Sequence, residues 1–295
     1  MEQSDTIALA PAAQVLAQRA PGPVVVEVEA ARPLSPAERL WNVAALRKLL
    51  LLSLLLALWQ VYAVTLDKPL LFPTLDDTLA ALWNGILHGE LLGRVGHSLR
   101  TLVTGYAIGA TLAALLAVAA YSTRFGNDLM EILTATFNPL PPIALLPVSL
   151  IWFGLGQASI VFVLVHAVLW PMALNAHTGF TGITPTIRMV GRNYGLTGWR
   201  FAWRILFPAA FPQLLTGLKI GWAFGWRSLI AAELVYGVSS GSGGIGWFIY
   251  ENKNQLETAS VFAGLLTIIL IGLAVENLLF AGIERRTVLR WGMKH

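Results

Sequence analysis

The sequence predicts an all-α, polytopic membrane helix bundle with about six transmembrane helices. Three observations predict it. Of the 295 residues, 56% are hydrophobic and 12% charged, and a soluble domain carries about twice that charged fraction. The apolar residues gather into six runs, each near the roughly 20 residues that a spanning helix needs. The arginines and lysines concentrate between alternate runs, as expected of stretches that stay on the cytoplasmic side.

Residues 1–40 form a tail rich in Ala, Pro and Val. Glu2 and Asp5 precede its only apolar run, which Pro11 and Gln14 break. A signal peptide needs a basic start and a continuous apolar core, so a retained, disordered cytoplasmic tail is expected. A transmembrane domain then occupies 41–295, entered through Arg39, Arg47 and Lys48.

The six runs fall at about 48–66, 97–121, 129–152, 158–178, 211–236 and 259–282. Between the first two, Leu75, Leu79, Leu82, Trp83 and Ile86 repeat at helical spacing. This predicts an amphipathic helix lying outside the membrane surface and not a seventh span. An even number of spans puts both termini on one side. The excess of Arg124, Arg188, Arg192, Arg200, Arg204, Arg285, Arg286 and Arg290 over Lys68, Arg94 and Lys253 makes that side cytoplasmic.

The third run contains Asn138-Pro139-Leu140-Pro141-Pro142 and then Pro147. Each proline removes a backbone donor, and such a break survives only where protein or water satisfies the freed groups. The run is therefore bent and faces the interior, either as a packing kink or as a wall of a transport path with Asn138 lining it. In the fifth run Gly217, Gly221 and Gly225 recur at every fourth position, extended by Ser228 and Ala232. Small residues in that register admit close helix approach, within the subunit or from a second copy. Gly105 and Gly109 read as packing alone. Arg227 and Glu233 lie deep in the run or near its outer end. They stand about 120° apart around a helix, so each needs its own partner. Glu233 suits a structural role at the outer end, and Arg227 either a structural bond or attraction of an anion. His166, Trp170 and Asn175 in the fourth run suit bonds between helices.

Several chemistries are excluded. There is no cysteine, hence no disulfide, thiolate metal site or cysteine nucleophile. The five histidines show no metal spacing, and no catalytic set can be placed on one side of a membrane. Gly241-Ser242-Gly243-Gly244-Ile245-Gly246 fits GxGxxG but follows a membrane helix, so it reads as a flexible external turn. No GxxxxGK[ST] occurs, so any ATP is bound by another subunit. The net charge of +4 reads as topology and not as nucleic-acid affinity.

The stretch from Thr184 to Pro212 is the longest basic interruption of the C-terminal half, and it holds no acid. Pro185 suits the first turn of a helix with Thr184 as its cap. Ile187, Val190 and Tyr194 share one face, and Gly195 stands where a helix stops. Gly195, Ile205 and Pro208 match the loop signature of binding-protein-dependent ABC importer permeases: Glu-Ala-Ala, three residues, Gly, nine residues, Ile, one residue, Leu-Pro. Phe207 replaces the Leu, and Met189, Val190 and Gly191 replace Glu-Ala-Ala, so the acidic position is lost. The text FPAAFPQLLTGLKIGWAFGWRSLIAAELV, with GVSSGSGGIGWFI and VFAGLLTIILIGLAVENLL, resembles the nitrate, sulfonate and taurine branch of that family.

The resemblance covers roughly residue 49 to the C-terminus. It implies a type I importer fold in which the loop at about 184–208 holds a coupling helix. The loop residues it marks are Arg188, Met189, Val190, Gly191, Arg192, Gly195, Ile205, Phe207 and Pro208. It also implies two ATP-binding subunits, a second permease copy and an external solute-binding protein. The implied cargo is a small anion such as nitrate, a sulfonate, taurine or an organic carboxylate. A secondary transporter driven by an ion gradient is the alternative; it wants intramembrane acids and internal repeats. Glu131, Glu233 and Glu276 are present, but the halves show no convincing repeat.

Overall fold

The computed structural model describes residues 42–236 and 243–290. The expected tail at 1–40, Gly241, Ser242 and Lys294 fall outside them. The chain divides into two compact units, Met1–Leu55 and Leu56–His295. Among the described residues the first holds the start of helix α1, and the second holds everything discussed below.

Every regular element among the described residues is helical. Helix α1 spans Ala44–Leu66, α2 Leu75–Leu87, α3 Leu91–Ser122 and α4 Arg124–Phe137. A short 3-10 turn, Pro142–Leu145, leads into α5, Leu146–Phe153. Helix α6 runs Gln157–Thr181, α7 Pro185–Asn193 and α8 Gly198–Phe201. A π-helical segment, Ala202–Leu206, joins α8 to α9, Phe207–Tyr236. Helix α10 is Ile245–Asn254 and α11 Thr258–Ala274. A second π-helical segment, Val275–Phe280, leads into α12, Ala281–Arg286.

Helices α1, α3, α6 and the stretch from α11 through α12 are long and apolar enough to cross a membrane. The predicted third span is not one helix. It is α4 followed by the Pro142–Phe153 segment, bent by 87°, because Pro139, Pro141 and Pro142 deny the backbone its ladder. Helix α9, the predicted fifth span, has 30 residues. That makes it about 45 Å long, but its glycines, tryptophans and charges keep it out of the set of helices apolar enough to count as spans.

The core is a sandwich of α6 between α3 and α9. Leu102, Leu164, Trp226, Leu229 and Ile230 form one buried cluster, and Ala113, Met130, Val168, Met172 and Ala173 another. The glycine stripe of α9 is spent on this packing. A methyl at Gly217 would lie 2.8 Å from Asn175 Cβ, one at Gly221 2.8 Å from Met172 Cγ, and one at Gly225 3.1 Å from Val168 Cγ2. These pairings also make α6 and α9 antiparallel. Gly105 and Gly109 face Leu164 and Val168 in the same way, so both stripes serve approach within the subunit.

Helix α2 is amphipathic, but its inward face is rotated from the expected one. Leu75, Thr78, Leu82 and Ile86 turn inward, while Leu79 and Trp83 are exposed. The side chain of Gln60 fixes the start of α2: it accepts from Leu75 N–H at 2.8 Å and donates to Asp76 at 2.8 Å.

Candidate coupling loop and membrane path

The loop between α6 and α9 is built by backbone rules legible in its residues. Pro185 occupies the first turn of α7, where a missing N–H costs nothing. The helix ends in a Schellman arrangement: Leu196 N–H donates to the Gly191 carbonyl at 3.1 Å and Gly195 N–H to the Arg192 carbonyl at 2.8 Å. This requires Gly195 to be left-handed, and its φ is +71°. Gly198 is also left-handed, with φ +53°, a turn that the residue pattern does not announce. The π-helical segment precedes Pro208, whose ring clashes with the carbonyl one turn back unless the backbone widens.

Gly191 and Ile205 meet. A methyl at Gly191 would sit 2.9 Å from Ile205 Cγ1 and 2.7 Å from Phe201 Cε2. Helix α7 therefore lies against the Phe201–Ile205 stretch through a position that admits no side chain. Arg188 turns toward its own chain. Its Nη2 donates to the Phe180 carbonyl at 2.9 Å and its Nε to the Ile183 carbonyl at 3.3 Å, with the guanidinium 5.7 Å from the Tyr121 ring centroid. Its place in the basic loop, next to the signature, suggests contact with a partner. Here it caps carbonyls at and just beyond the end of α6, where they lack helical partners.

What the loop leaves outside is apolar and basic. Met189, Val190 and Tyr194 are exposed, Tyr194 at 81%, as are Arg192, Arg200 and Arg204. Trp199 stacks on Trp203 at 5.9 Å and Trp203 on half-buried Phe207 at 5.0 Å. Ile205 and Pro208 are half-buried beside them.

The three candidate path residues lie apart in kind. Asn138 is exposed at the end of α4, at the 87° break, with its N–H on the Thr134 carbonyl at 3.0 Å. Arg227 lies on the exposed side of α9. Its Nε donates to the Ala223 carbonyl at 3.0 Å and its guanidinium covers the Phe224 ring at 4.8 Å. Among the described residues no carboxylate forms an ion pair with it.

Glu233 is 4% exposed, and its carboxylate is engaged on both oxygens. Ser98 Oγ donates to it at 2.8 Å, and Gly246 N–H, in the first turn of α10, at 2.9 Å. Ser98 in turn accepts from Ile245 N–H at 2.9 Å. A carboxylate at the start of a helix meets the positive end of its dipole. Gly244 and Gly246 make room for it: a methyl on Gly246 would meet Glu233 Cβ at 2.6 Å, and one on Gly244 would overlap the carboxylate and Ser98 Oγ. The described part of the glycine run is thus a packed seat and not the flexible turn expected.

An ion pair the sequence did not suggest, Lys219 to Glu284 at 2.6 Å, ties α9 to α12. Among the described residues no three metal-ligating side chains converge.

An all-helical bundle with several helices long and apolar enough to span a membrane, a broken span and a capped basic loop is the architecture of a polytopic membrane protein. The chain belongs to the binding-protein-dependent transport system inner membrane components, whose family description fits residues 105–288, more than half its length. It is similar to a putative ABC transporter permease protein of Methanocaldococcus jannaschii, 28% identical over 78% of this chain and 86% of that one. The nitrate import permease protein of Synechocystis is 26% identical over 83% of this chain and 90% of that one. The taurine transport system permease protein of Escherichia coli is 27% identical over 76% and 82%. The chain is therefore a multi-pass inner-membrane permease subunit of an ABC importer, which works with an ATPase and a solute-binding protein.

Proposed function

We propose that this permease moves a small anion of the nitrate, sulfonate or taurine kind, delivered by an external binding protein. It does so as one of two permease copies above two cytoplasmic ATPases that bind the ATP. The observation that carries the anion is Arg227. An ionised side chain in a spanning helix costs roughly 2.5–3.5 kcal/mol on insertion scales, and this one has no carboxylate partner among the described residues. An anion in transit is a natural partner for it. The names of the Synechocystis and Escherichia coli relatives support the same class.

The loop at 184–208 docks on the ATPase, with both chain termini on its side of the membrane. Its exposed Met189, Val190, Tyr194 and Arg192 supply the contact, and Arg188 passes loop motion to the end of α6. Uptake into proteoliposomes tests the anion. Arg227→Lys keeps the charge and loses the planar fork, while Arg227→Gln loses the charge. Lys is expected to retain far more uptake than Gln, and equal uptake by Gln and the unaltered chain removes Arg227 from the path. Single cysteines at Thr197 and Gln255, in a chain that has none, test the orientation. In intact cells an impermeant thiol reagent is expected to label Gln255→Cys and spare Thr197→Cys.

A further inference from the structure

Helix α6 carries one more feature, polar groups that its ring packing leaves without hydrogen-bond partners. The side chains of His166, Trp170 and His177 fall within about 40° of one another around the helix and span about 16 Å along it. Trp170 Nε1 and His177 Nε2 are buried without a hydrogen-bond partner, and the ring nitrogens of His166 are buried with only a weak approach to the Phe137 backbone. Trp170 is 9% exposed, so its indole N–H is withdrawn from solvent and still unmet. A buried donor left unpaired costs about 1–3 kcal/mol, and a stripe of them calls for a ligand.

The stripe abuts the break in the third span. Phe137, the last residue of α4, stacks on Trp170 with 5.6 Å between ring centroids and 7° between planes. The ring of His166 stands edge-on to Trp170 at 6.1 Å. Thr134, one turn before Phe137, has a buried hydroxyl that is also without a partner. The antiparallel register of α6 and α9, with Val168 opposite Gly225 and Met172 opposite Gly221, sets His166 at the depth of Arg227.

Every member of the set can donate, and Trp170 can do nothing else. An indole N–H only donates, an imidazole offers a donor in every protonation state, and a threonine hydroxyl donates freely. Glu131, the acid one turn before Thr134, is exposed. Nitrate and sulfonate oxygens only accept.

Resting on the anion reading above, we propose that His166, Trp170 and His177, with Thr134 across the break, form a donor-lined track on α6. The track binds the oxyanion inside the membrane and hands it along the helix. Asn138 and the 87° break mark where the track opens, and the stack of Phe137 on Trp170 holds the indole plane in place beside it.

The test uses the full complex in lipid, with its ATPase and binding protein, and nitrate, taurine and methanesulfonate as probes. Trp170→Phe retains the ring that stacks on Phe137 and deletes the N–H. His166→Leu deletes a donor and His166→Gln restores one. Uptake is expected to fall about tenfold or more in Trp170→Phe and His166→Leu, as the loss of a hydrogen bond to a charged group implies. It should recover substantially in His166→Gln, while loaded binding protein still stimulates ATP hydrolysis in all three. Unchanged uptake in both Trp170→Phe and His166→Leu overturns the track. So does a parallel loss of stimulated hydrolysis, which would make these residues helix packing. If the unaltered complex hydrolyses ATP but imports none of the three solutes, the anion reading itself falls and takes the track with it.

Discussion

Helix α9 is held by opposite means at its two ends. At the Tyr236 end, Glu233 is buried and its oxygens are bonded to Ser98 and to the start of α10. At the Phe207 end the chain comes out of a loop whose apolar residues Tyr194, Trp199 and Trp203 are exposed. Glycines serve both ends for different reasons. Gly244 and Gly246 admit a carboxylate and its neighbours at close range. Gly195 has open space around it and is required by its φ of +71°. One end is a closed knot whose bonds are satisfied within the chain. The other is a shaped surface that leaves large apolar side chains exposed. If the loop docks on the ATPase as proposed, the difference puts rigidity at one end of α9 and a contact surface at the other.

The knot is the place to expect the largest damage. Gly244→Val forces a branched side chain into the Glu233 carboxylate and Ser98 Oγ. Moving them strands Ile245 and Gly246 N–H, at about 1–3 kcal/mol for each buried donor left unmet. A loss of about 3 kcal/mol or more is expected, read as a lower unfolding temperature in detergent and poor recovery from membranes. Glu233→Ala should do the same by removing the acceptor. If both variants unfold within a degree or two of the unaltered protein, the knot holds nothing and the contrast between the two ends disappears.

Arg188→Ala comes next. It frees the Phe180 and Ile183 carbonyls that the guanidinium now caps. The expected cost is about 2 kcal/mol, with α7 loosened from the end of α6. Uptake is expected to fall more than ATP hydrolysis does, since the motor keeps its docking face but loses its link to the spans. Arg188→Lys should restore part of the coupling, because one ammonium reaches one carbonyl and not both. Equal loss of uptake and hydrolysis would mean that Arg188 acts on docking and not on transmission.

These residues show what was legible in the sequence. The helix start at Pro185 and its stop at Gly195 were readable because backbone rules act within a few residues. The bend in the third span was readable from its prolines, though not its size. Arg188 suggests a partner contact because a basic residue on a loop looks free until the carbonyls it caps, five and eight residues back, are placed in space. The Gly243–Gly246 seat looks like a flexible turn because its need for glycine comes from Ser98 and Glu233, remote in sequence. The inward face of α2 is displaced by one flank of the helix, since Leu79 and Trp83 look as apolar as the residues that do turn inward. His166 and Trp170 were visible only as polar residues in a span. That the Trp170 donor goes unmet is a property of the whole bundle.

Gly195→Val should cost less than the Arg188 change in stability. Nothing lies within 4 Å of the added Cβ, so the penalty is the left-handed backbone alone, about 1–2 kcal/mol. The Schellman bonds of Leu196 and Gly195 are its casualties, and α7 loses its defined end. Normal insertion, lost uptake and ATP hydrolysis unresponsive to loaded binding protein are expected. If coupling survives intact, the loop is only a topological anchor.

The smallest expected effect on the fold is the sharpest probe of the contrast. Tyr194 is the C-cap residue of α7 and is 81% exposed. Its backbone bonds to Val190 and Arg192 remain available to any residue at that position. Tyr194→Ser should therefore change stability by no more than about 0.5 kcal/mol. An aromatic ring presented to solvent on a helix beside Met189, Val190 and Arg192 has the composition of an interface anchor. If the ATPase docks here, deleting that ring removes a contact of roughly 1–2 kcal/mol. The permease should then keep its unfolding temperature while the ATPase that co-purifies with it drops about fivefold or more. A comparable change at the knot has no such signature, because every group there is already bonded within the chain, and damage to it must show as instability. A Tyr194→Ser permease that retains its full complement of ATPase would place the docking face elsewhere on the loop, at Trp199 and Trp203, and leave α7 as a spacer held by Arg188.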